Sequence, residues 1–229
     1  MSPRDSRTSG AVLFDLDGTL VDTAPDMVAV LQSMQRDYEV SQVTYDLGRA
    51  YVSNGSVGLV GLGFPDADDA RSEQLRLEYL ERYALRICER SAVFGGLERL
   101  LRCLEDGGIS WGIVTNKPQR FTEPLLAALQ LADRIACCVC GDTLTLRKPD
   151  PAPLLHACEI AGVSVSDSMY VGDSIRDIEA GRAAGMATIA AAYGYVTPDD
   201  SVATWGADAV ACDTEELTQI VLKAVNLGS

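Results

Sequence analysis

Basic charge is scarce in this chain: 19 Lys and Arg stand against 33 Asp and Glu, a formal charge of −14 at pH 7. A phosphate-backbone partner wants a basic stripe, so DNA and RNA are excluded as partners. An anionic substrate then needs a locally positive site, built from metal ions, a lysine and helix N-termini. No stretch approaches the ~18–20 apolar residues of a membrane span, so no membrane association is expected. Met1 to Gly10 is polar, with no apolar core of a signal peptide. There is one histidine, and no second C-x-x-C to complete four ligands around Cys137-Cys138-Val139-Cys140. Those cysteines read as small hydrophobes of a buried strand. The seven cysteines are odd in number, which points to a reduced, cytoplasmic protein. Internal repeats and low-complexity segments are absent.

At 229 residues with 47% apolar and 23% charged residues, the chain is an ordinary globular one that can bury a large core. The first ten residues read as a flexible arm. Ala11 to Phe14 is an apolar run that stops at Asp15 and Asp17, bounded by the turn residue Gly18, as in a buried strand over 11–15. Strand alternation sends Asp15 and Asp17 the same way and Leu16 the other. Two such close anions need a cation or a shared proton, and Mg²⁺, a hard oxygen-seeking ion, supplies the former. Thr23 is placed to cap a helix with Pro25 and Asp26 in its first turn. Met27, Val30, Leu31 and Met34 then mark a helical face. Ser53-Asn54-Gly55-Ser56 reads as a loop, and Leu75, Tyr79, Tyr83 and Ile87 as one face of a helix over 67–88.

Beyond the Gly95-Gly96 hinge, strands and helices alternate. Strands are expected at 110–115, 135–140, 169–171, 187–191 and 208–211. Helices are expected from Pro118 to Leu129 and over 152–161, 176–184 and 214–225. Alternation implies a parallel sheet covered on both faces, with an all-helical insert after the first strand. The division is 1–10 as an arm, 11–23 and 89–229 as a core domain, and 24–88 as a helical domain.

Three more clusters fall at strand ends. Thr115 and Asn116 offer a hydroxyl and an amide to a phosphoryl oxygen, or form a simple turn. Lys148 precedes Pro149. Asp173 and Asp177 fit either metal ligands or acids favoured at a helix N-terminus. In order, the set runs D-x-D-G-T, strand-terminal Thr-Asn, Lys-Pro, then G-D-S-x-x-D, and it spans nearly the whole chain. That set resembles the haloacid dehalogenase (HAD) superfamily, whose fold is a Rossmann-like α/β parallel-sheet core with, here, a small helical C1-type cap.

The resemblance implies a Mg²⁺-dependent phosphomonoesterase working through an aspartyl-phosphate. Asp15 is then nucleophile and metal ligand, and Asp17 the general acid/base, with its backbone carbonyl on the metal. Asp173 is a further ligand and Asp177 supports it from the edge, while Thr115, Asn116 and Lys148 take the phosphoryl group. Ser53, Asn54 and Gly55 would help select the leaving group. Asp17 separates the chain from haloacid dehalogenases and phosphonate hydrolases, which lack it. A sugar phosphomutase of the β-phosphoglucomutase type and a catalytically silent phosphometabolite binder are the alternatives. Leu20 to Asp26, Val114 to Pro118 and Arg147 to Pro151 resemble bacterial phosphoglycolate phosphatases. Trp111 to Pro124, and Tyr193 to Pro198 leading to Trp205-Gly206-Ala207-Asp208, resemble N-acetylmuramic acid 6-phosphate phosphatases. The expected partner is a small phosphate ester, and the expected assembly a monomer or homodimer.

Overall fold

Val12 and Phe14 point to one side of the first strand and Ala11 and Leu13 to the other, and all four are buried. A strand apolar on both sides belongs in the middle of a covered sheet, and the computed structural model, which describes residues 10–197 and 200–227, puts it there. Apart from Gly10, the N-terminal arm lies outside the described residues.

In chain order the elements are β1 (Ala11–Phe14), β2 (Val21–Asp22), α1 (Ala24–Asp37), α2 (Tyr45–Ala50), a 3₁₀ turn (Val52–Asn54), α3 (Gly55–Gly63) and α4 (Asp69–Ala84). There follow β3 (Ala92–Val93), α5 (Leu97–Asp106), β4 (Ser110–Val114), α6 (Gln119–Ala128), β5 (Cys138–Val139) and α7 (Ala152–Ala161). The last are β6 (Met169–Gly172), α8 (Ile175–Ala184), β7 (Ala187–Ala191), a 3₁₀ turn (Val202–Thr204), β8 (Ala209–Ala211) and α9 (Thr214–Ala224).

Six strands form one parallel sheet in the order β5-β4-β1-β6-β7-β8. The chain runs outward from β1 in one direction, then returns to β6 and runs outward in the other. Between β1 and β6 the direction of winding reverses, and the crevice beyond the carboxyl ends of such strands is where open α/β sheets hold their sites. Helices α5, α6 and α9 cover the face carrying Val12 and Phe14, and α7 and α8 the face carrying Ala11 and Leu13.

Residues 24–84 are helical and gather a separate apolar cluster: Met27, Val28, Val30, Leu31 and Met34 of α1, Leu59 and Val60 of α3, and Leu75, Tyr79 and Tyr83 of α4. Phe121 and Tyr195 join that cluster from the sheet side. Met27, Val30, Leu31 and Met34, and Leu75, Tyr79 and Tyr83, keep the helical spacing read from the sequence, and fully burying each aliphatic side chain of the cluster is worth about 1.5–3 kcal/mol.

Several boundaries differ from expectation. The strand expected over 135–140 is only Cys138–Val139, because at the sheet edge it pairs with β4 alone, through Ile113↔Cys138 and Val114↔Val139. The expected Ser53–Ser56 loop is a 3₁₀ turn running straight into α3. The reading also passes over α5, although Leu97, Leu100, Leu101 and Leu104 form its buried stripe, and it passes over the antiparallel ribbon of β2 and β3. That ribbon joins the two connections between the helical layer and the sheet.

Asp26 ties the same junction. Buried in the first turn of α1, its carboxylate accepts from Arg90 N at 2.9 and 3.1 Å, Ser91 N at 2.8 Å and Ser91 Oγ at 2.6 Å.

Candidate active site

Asp15 follows β1 directly, its N–H donating to Val171 O at 2.8 Å, and Asp173 follows β6. The winding reversal therefore places the two carboxylates side by side. Gly18 has φ +86°, and a Cβ there would stand 2.1 Å from Asp173 Oδ2. Only glycine lets the turn after β1 pass under that carboxylate.

Asp177 sits in the first turn of α8, where its Oδ2 accepts from Ser174 N at 3.0 Å. Its other oxygen accepts from Lys148 Nζ at 2.7 Å. It is thus a helix-terminal acid and a member of the cluster at once. Asp15, Asp173 and Asp177 each offer an oxygen within 4.8 Å of the others. Among the described residues this is the one grouping of three or more potential metal ligands; the cysteines of β5 form none. Cys137 is buried, which pushes its thiol up to about 12.

Lys148 lies in the middle of this negative charge. Its ammonium reaches Asp15 Oδ1 at 2.9 Å and Asp177 Oδ1 at 2.7 Å, and donates to Tyr170 Oη at 2.7 Å. Tyr170 in turn donates to Val114 O at 2.7 Å. Burial alone would lower the Lys148 pKa, but the two carboxylates outweigh it and raise it. Burial raises Asp15 to about 6, against the pull of Lys148, with Asp177 adding to the rise. Asp173 stands at about 8, raised by burial and by the charges of Asp15 and Asp177, and pulled back by its bond from Tyr195 N.

A single lysine does not compensate three carboxylates, two of them buried and Asp15 half-buried. Asp15 Oδ1, although 2.9 Å from Lys148 Nζ, is buried with no hydrogen bond in good geometry. A hard divalent cation taking oxygen ligands fits this donor set.

The second aspartate of the motif is held apart from the cluster. Asp17 Oδ1 accepts from Thr23 Oγ1 at 2.6 Å and from Lys117 Nζ at 2.9 Å, and Lys117 lies 3.3 Å from Oδ2. Thr23 does stand at the N-terminus of α1, but its hydroxyl serves Asp17 and makes no capping bond. Burial acts to lower the Lys117 pKa; Asp17 and the neighbouring Tyr83 outweigh it and raise it.

Thr115 ends β4, is buried, lines the cavity, and accepts from Lys117 N at 3.1 Å. Asn116 also lines the cavity, but its side chain is committed to Lys148. Its Nδ2 donates to Lys148 O at 3.0 Å and its Oδ1 accepts from Lys148 N at 3.1 Å. The amide that the sequence suggested for the phosphoryl group thus fixes the backbone of the site lysine.

The 3₁₀ turn of the helical layer closes over this floor. Ser53 Oγ donates to Asp173 Oδ2 at 2.9 Å, and Ser53 O accepts from Arg176 Nη2 at 2.5 Å. Asn54 and Gly55 line the same cavity, about 340 Å³ in volume, together with Asp15, Asp17, Lys117, Lys148 and Asp177. Gly55 has φ +64°, and a Cβ there would meet nothing within 4 Å. The turn is therefore specified by backbone conformation and not by crowding.

Lys117 and Tyr195 are the residues that sequence reasoning missed. Lys117 stands inside the Thr-Asn-Lys-Pro segment, and a signal existed: the chain has three lysines, Lys117, Lys148 and Lys223, two of them in this cavity. Tyr195 carried no such signal, because only the fold brings its loop back to the cluster. Its N–H donates to Asp173 Oδ2 at 2.8 Å; its hydroxyl accepts from Thr23 N and Ala24 N at 2.6 and 2.8 Å and donates to Asp22 at 2.7 Å.

Known proteins resemble the chain in sequence and in fold. Residues 12–191 match the model of the haloacid dehalogenase-like hydrolase family. An N-acetylmuramic acid 6-phosphate phosphatase of Pseudomonas putida is 44% identical over 218 residues, covering 94% of this chain and 97% of the relative. A phosphoglycolate phosphatase of Xylella fastidiosa is 44% identical over 197 residues, covering 86% of each chain. A crystal structure from Haemophilus somnus, described as a predicted phosphoglycolate phosphatase, superposes with a TM-score of 0.82 at 25% identity, covering 94% of this chain and 99% of that one. The chain belongs to the haloacid dehalogenase-like hydrolase family, among its phosphatases.

Proposed function

We propose that the protein is a Mg²⁺-dependent phosphomonoesterase acting on a small phosphate ester through an aspartyl-phosphate formed on Asp15. One observation carries the reading: Asp15, Asp173 and Asp177 each offer an oxygen within 4.8 Å of the others, with one lysine paired to two of them, while a fourth carboxylate, Asp17, is held separately beside them. A fold gains nothing from such repulsion. A site that must hold a dication next to a nucleophile and a separate proton carrier does.

Asp15, Asp173 and Asp177, with the backbone carbonyl of Asp17, would hold Mg²⁺. Bound there, the ion supplies charge neutralisation and Lewis-acid polarisation of a phosphoryl oxygen.

The chain's own groups divide the remaining work. Lys148 opposes the effect of burial on Asp15 and so favours the ionised nucleophile. Its carboxylate oxygen forms the bond to phosphorus as the bond from phosphorus to the ester oxygen breaks. Asp17 delivers a proton to that departing oxygen, then takes one from the water that hydrolyses the acyl phosphate. Thr115 lies within the cavity to donate to the phosphoryl group, and the Asn116–Lys148 clasp holds the lysine in place. Residues 24–88 act as a cap over a core of 11–23 and 89–229, excluding water from the reaction.

Two esters stand first, N-acetylmuramic acid 6-phosphate and 2-phosphoglycolate, the ones that name the relatives. The cavity of about 340 Å³ is in the range that encloses a drug-sized ligand, larger than a two-carbon acid fills. The relatives named for the muramic acid ester also match over more of the chain, 94% against 80–90%. Both features favour the sugar acid. A reducing compartment, the cytoplasm, suits the seven thiols.

The test is a phosphate-release screen of the metal-stripped protein over a panel of small esters, with and without Mg²⁺. Mg²⁺-dependent release is expected. Full activity without metal would overturn the reading, conversion only with a bisphosphate primer would identify a mutase, and binding without turnover would identify a silent member.

A further inference from the structure

Tyr83 is a polar group that the mechanism above leaves unused. It belongs to α4 in the helical layer, its ring 6.4 Å from that of Tyr79 and 5.6 Å from that of Phe121, centroid to centroid. The Lys117 ammonium lies 4.7 Å from its centroid. Tyr83 lines the active-site cavity, yet it is only 2% exposed, and although the Lys117 ammonium stands beside it, its hydroxyl makes no hydrogen bond in good geometry.

Its buried counterparts are all satisfied. Tyr79 donates to Met27 O at 2.9 Å, Tyr170 to Val114 O and Tyr195 to Asp22, both at 2.7 Å. An unmade hydrogen bond in a buried position destabilises the chain and calls for a reason. Phenylalanine would fill the same space without that cost.

We propose that the Tyr83 hydroxyl and the Lys117 ammonium form a leaving-group subsite, which recognises an acceptor oxygen on the carbon next to the ester-bearing carbon. The inference rests on the phosphomonoesterase reading. Its position follows from Asp17, which has to reach the ester oxygen. Lys117 Nζ is 2.9 Å from Asp17 Oδ1, and Tyr83 adjoins it, so this pair meets the part of the ester just beyond the oxygen that departs. Both favoured esters carry an acceptor there: a carboxylate oxygen in 2-phosphoglycolate, the ring oxygen in a hexose 6-phosphate. A buried donor aimed at an acceptor also rejects esters that lack one, because it is then left unpaired under the seated cap.

The test uses three esters of the full-length enzyme with Mg²⁺: 2-phosphoglycolate, 2-hydroxyethyl phosphate and ethyl phosphate, which lacks the acceptor. In Tyr83→Phe, the kcat/KM ratio of each oxygenated ester to ethyl phosphate should fall about tenfold, while Tm stays level or rises because an orphaned hydroxyl has gone. In Lys117→Met, activity on all three falls, and 2-phosphoglycolate should lose several-fold more than 2-hydroxyethyl phosphate if the acceptor preferred is anionic; equal losses assign a neutral acceptor. Unchanged ratios in Tyr83→Phe, or equal losses on all three esters, would overturn the subsite while leaving the phosphatase reading intact. No phosphate released by the parent enzyme from any of these esters or from N-acetylmuramic acid 6-phosphate would overturn both.

Discussion

Removing the divalent cation should give the protein a stability that falls as pH rises from about 5 to 8, with the sign set by the carboxylate cluster. In the unfolded chain Asp15 and Asp173 return to the ordinary 3.8, whereas in the fold burial and mutual repulsion hold them at about 6 and about 8. Between those limits the folded, metal-free protein binds more protons than the unfolded one. Stability is therefore lost as pH rises through the window and recovered as it falls. For Asp173 the gap between 3.8 and about 8 corresponds to ~6 kcal/mol at ~1.4 kcal/mol per pH unit. For Asp15 the gap to about 6 corresponds to ~3 kcal/mol. The two do not add, since each is raised partly by the other's charge. A net loss of roughly 3–6 kcal/mol lowers the Tm of a chain this size by on the order of 10 °C. Saturating Mg²⁺ holds the carboxylates ionised in the fold and should flatten the slope, while raising Tm most near pH 8. The assay is thermal melting across this pH range in EDTA and in Mg²⁺, with Asp173→Asn as a third sample whose EDTA slope should be shallower. Superimposable curves in EDTA and Mg²⁺, or an EDTA Tm that rises with pH, would refute the reasoning.

Asp15→Asn should abolish phosphate release with the fold intact, since it removes the nucleophile and one of the repelling charges while keeping the shape; undiminished turnover would discard the mechanism. Asn54→Ala or Gly55→Val should lower the kcat/KM ratio of the best natural ester to p-nitrophenyl phosphate. At Gly55 the cause is the positive φ with an extended ψ of −162° and not a clash, a strain of about 1–3 kcal/mol, and an unchanged ratio in a folded variant would reduce the turn to a connection. Asp26→Ala leaves the Arg90 and Ser91 donors without an acceptor at ~1–3 kcal/mol each. Urea unfolding should show a loss of about 3 kcal/mol or more, and a loss below ~1 kcal/mol would mean that water replaces the carboxylate.

The sheet and its insert were legible because their signals are local. Ala11 to Phe14 is apolar on both faces, and Met27, Val30, Leu31 and Met34 keep the helical period, so pattern alone places them. The stripe Leu97, Leu100, Leu101 and Leu104 carries the same period, so the signal for α5 is as local as theirs. The short β5 was not legible, because its pairing is limited by one neighbour at the sheet edge and not by its own residues. In the site, Asp15, Asp173, Asp177 and Lys148 announced themselves by standing where apolar strands end. Their partners did not. Asn116 looked like a ligand-facing amide until the chain folded Lys148 against it, and Thr23 looked like a helix cap until Asp17 took its hydroxyl. Polar side chains at turns have several possible partners in sequence and one in space.

The contacts of Asp173 tie the helical layer to the floor of the cavity. A single carboxylate oxygen, Asp173 Oδ2, accepts from Ser53 Oγ of the helical layer and from Tyr195 N of the sheet domain. Tyr195 then reaches the other way, taking the first N–H groups of α1 on its hydroxyl, while Arg49 of α2 donates to Tyr193 O and Gly194 O and stacks on the Tyr195 ring at 4.9 Å. One side chain thus spans a candidate metal ligand and the point where the helical layer leaves the sheet. Thr23, whose N–H that hydroxyl holds, passes the constraint to Asp17 through its own hydroxyl. Preorganisation of this kind keeps charged groups at fixed distances without reorganisation at the moment of reaction. It also explains how the helical insert can follow β1 within a few residues of Asp15: the junction is built into the shell that positions the carboxylates.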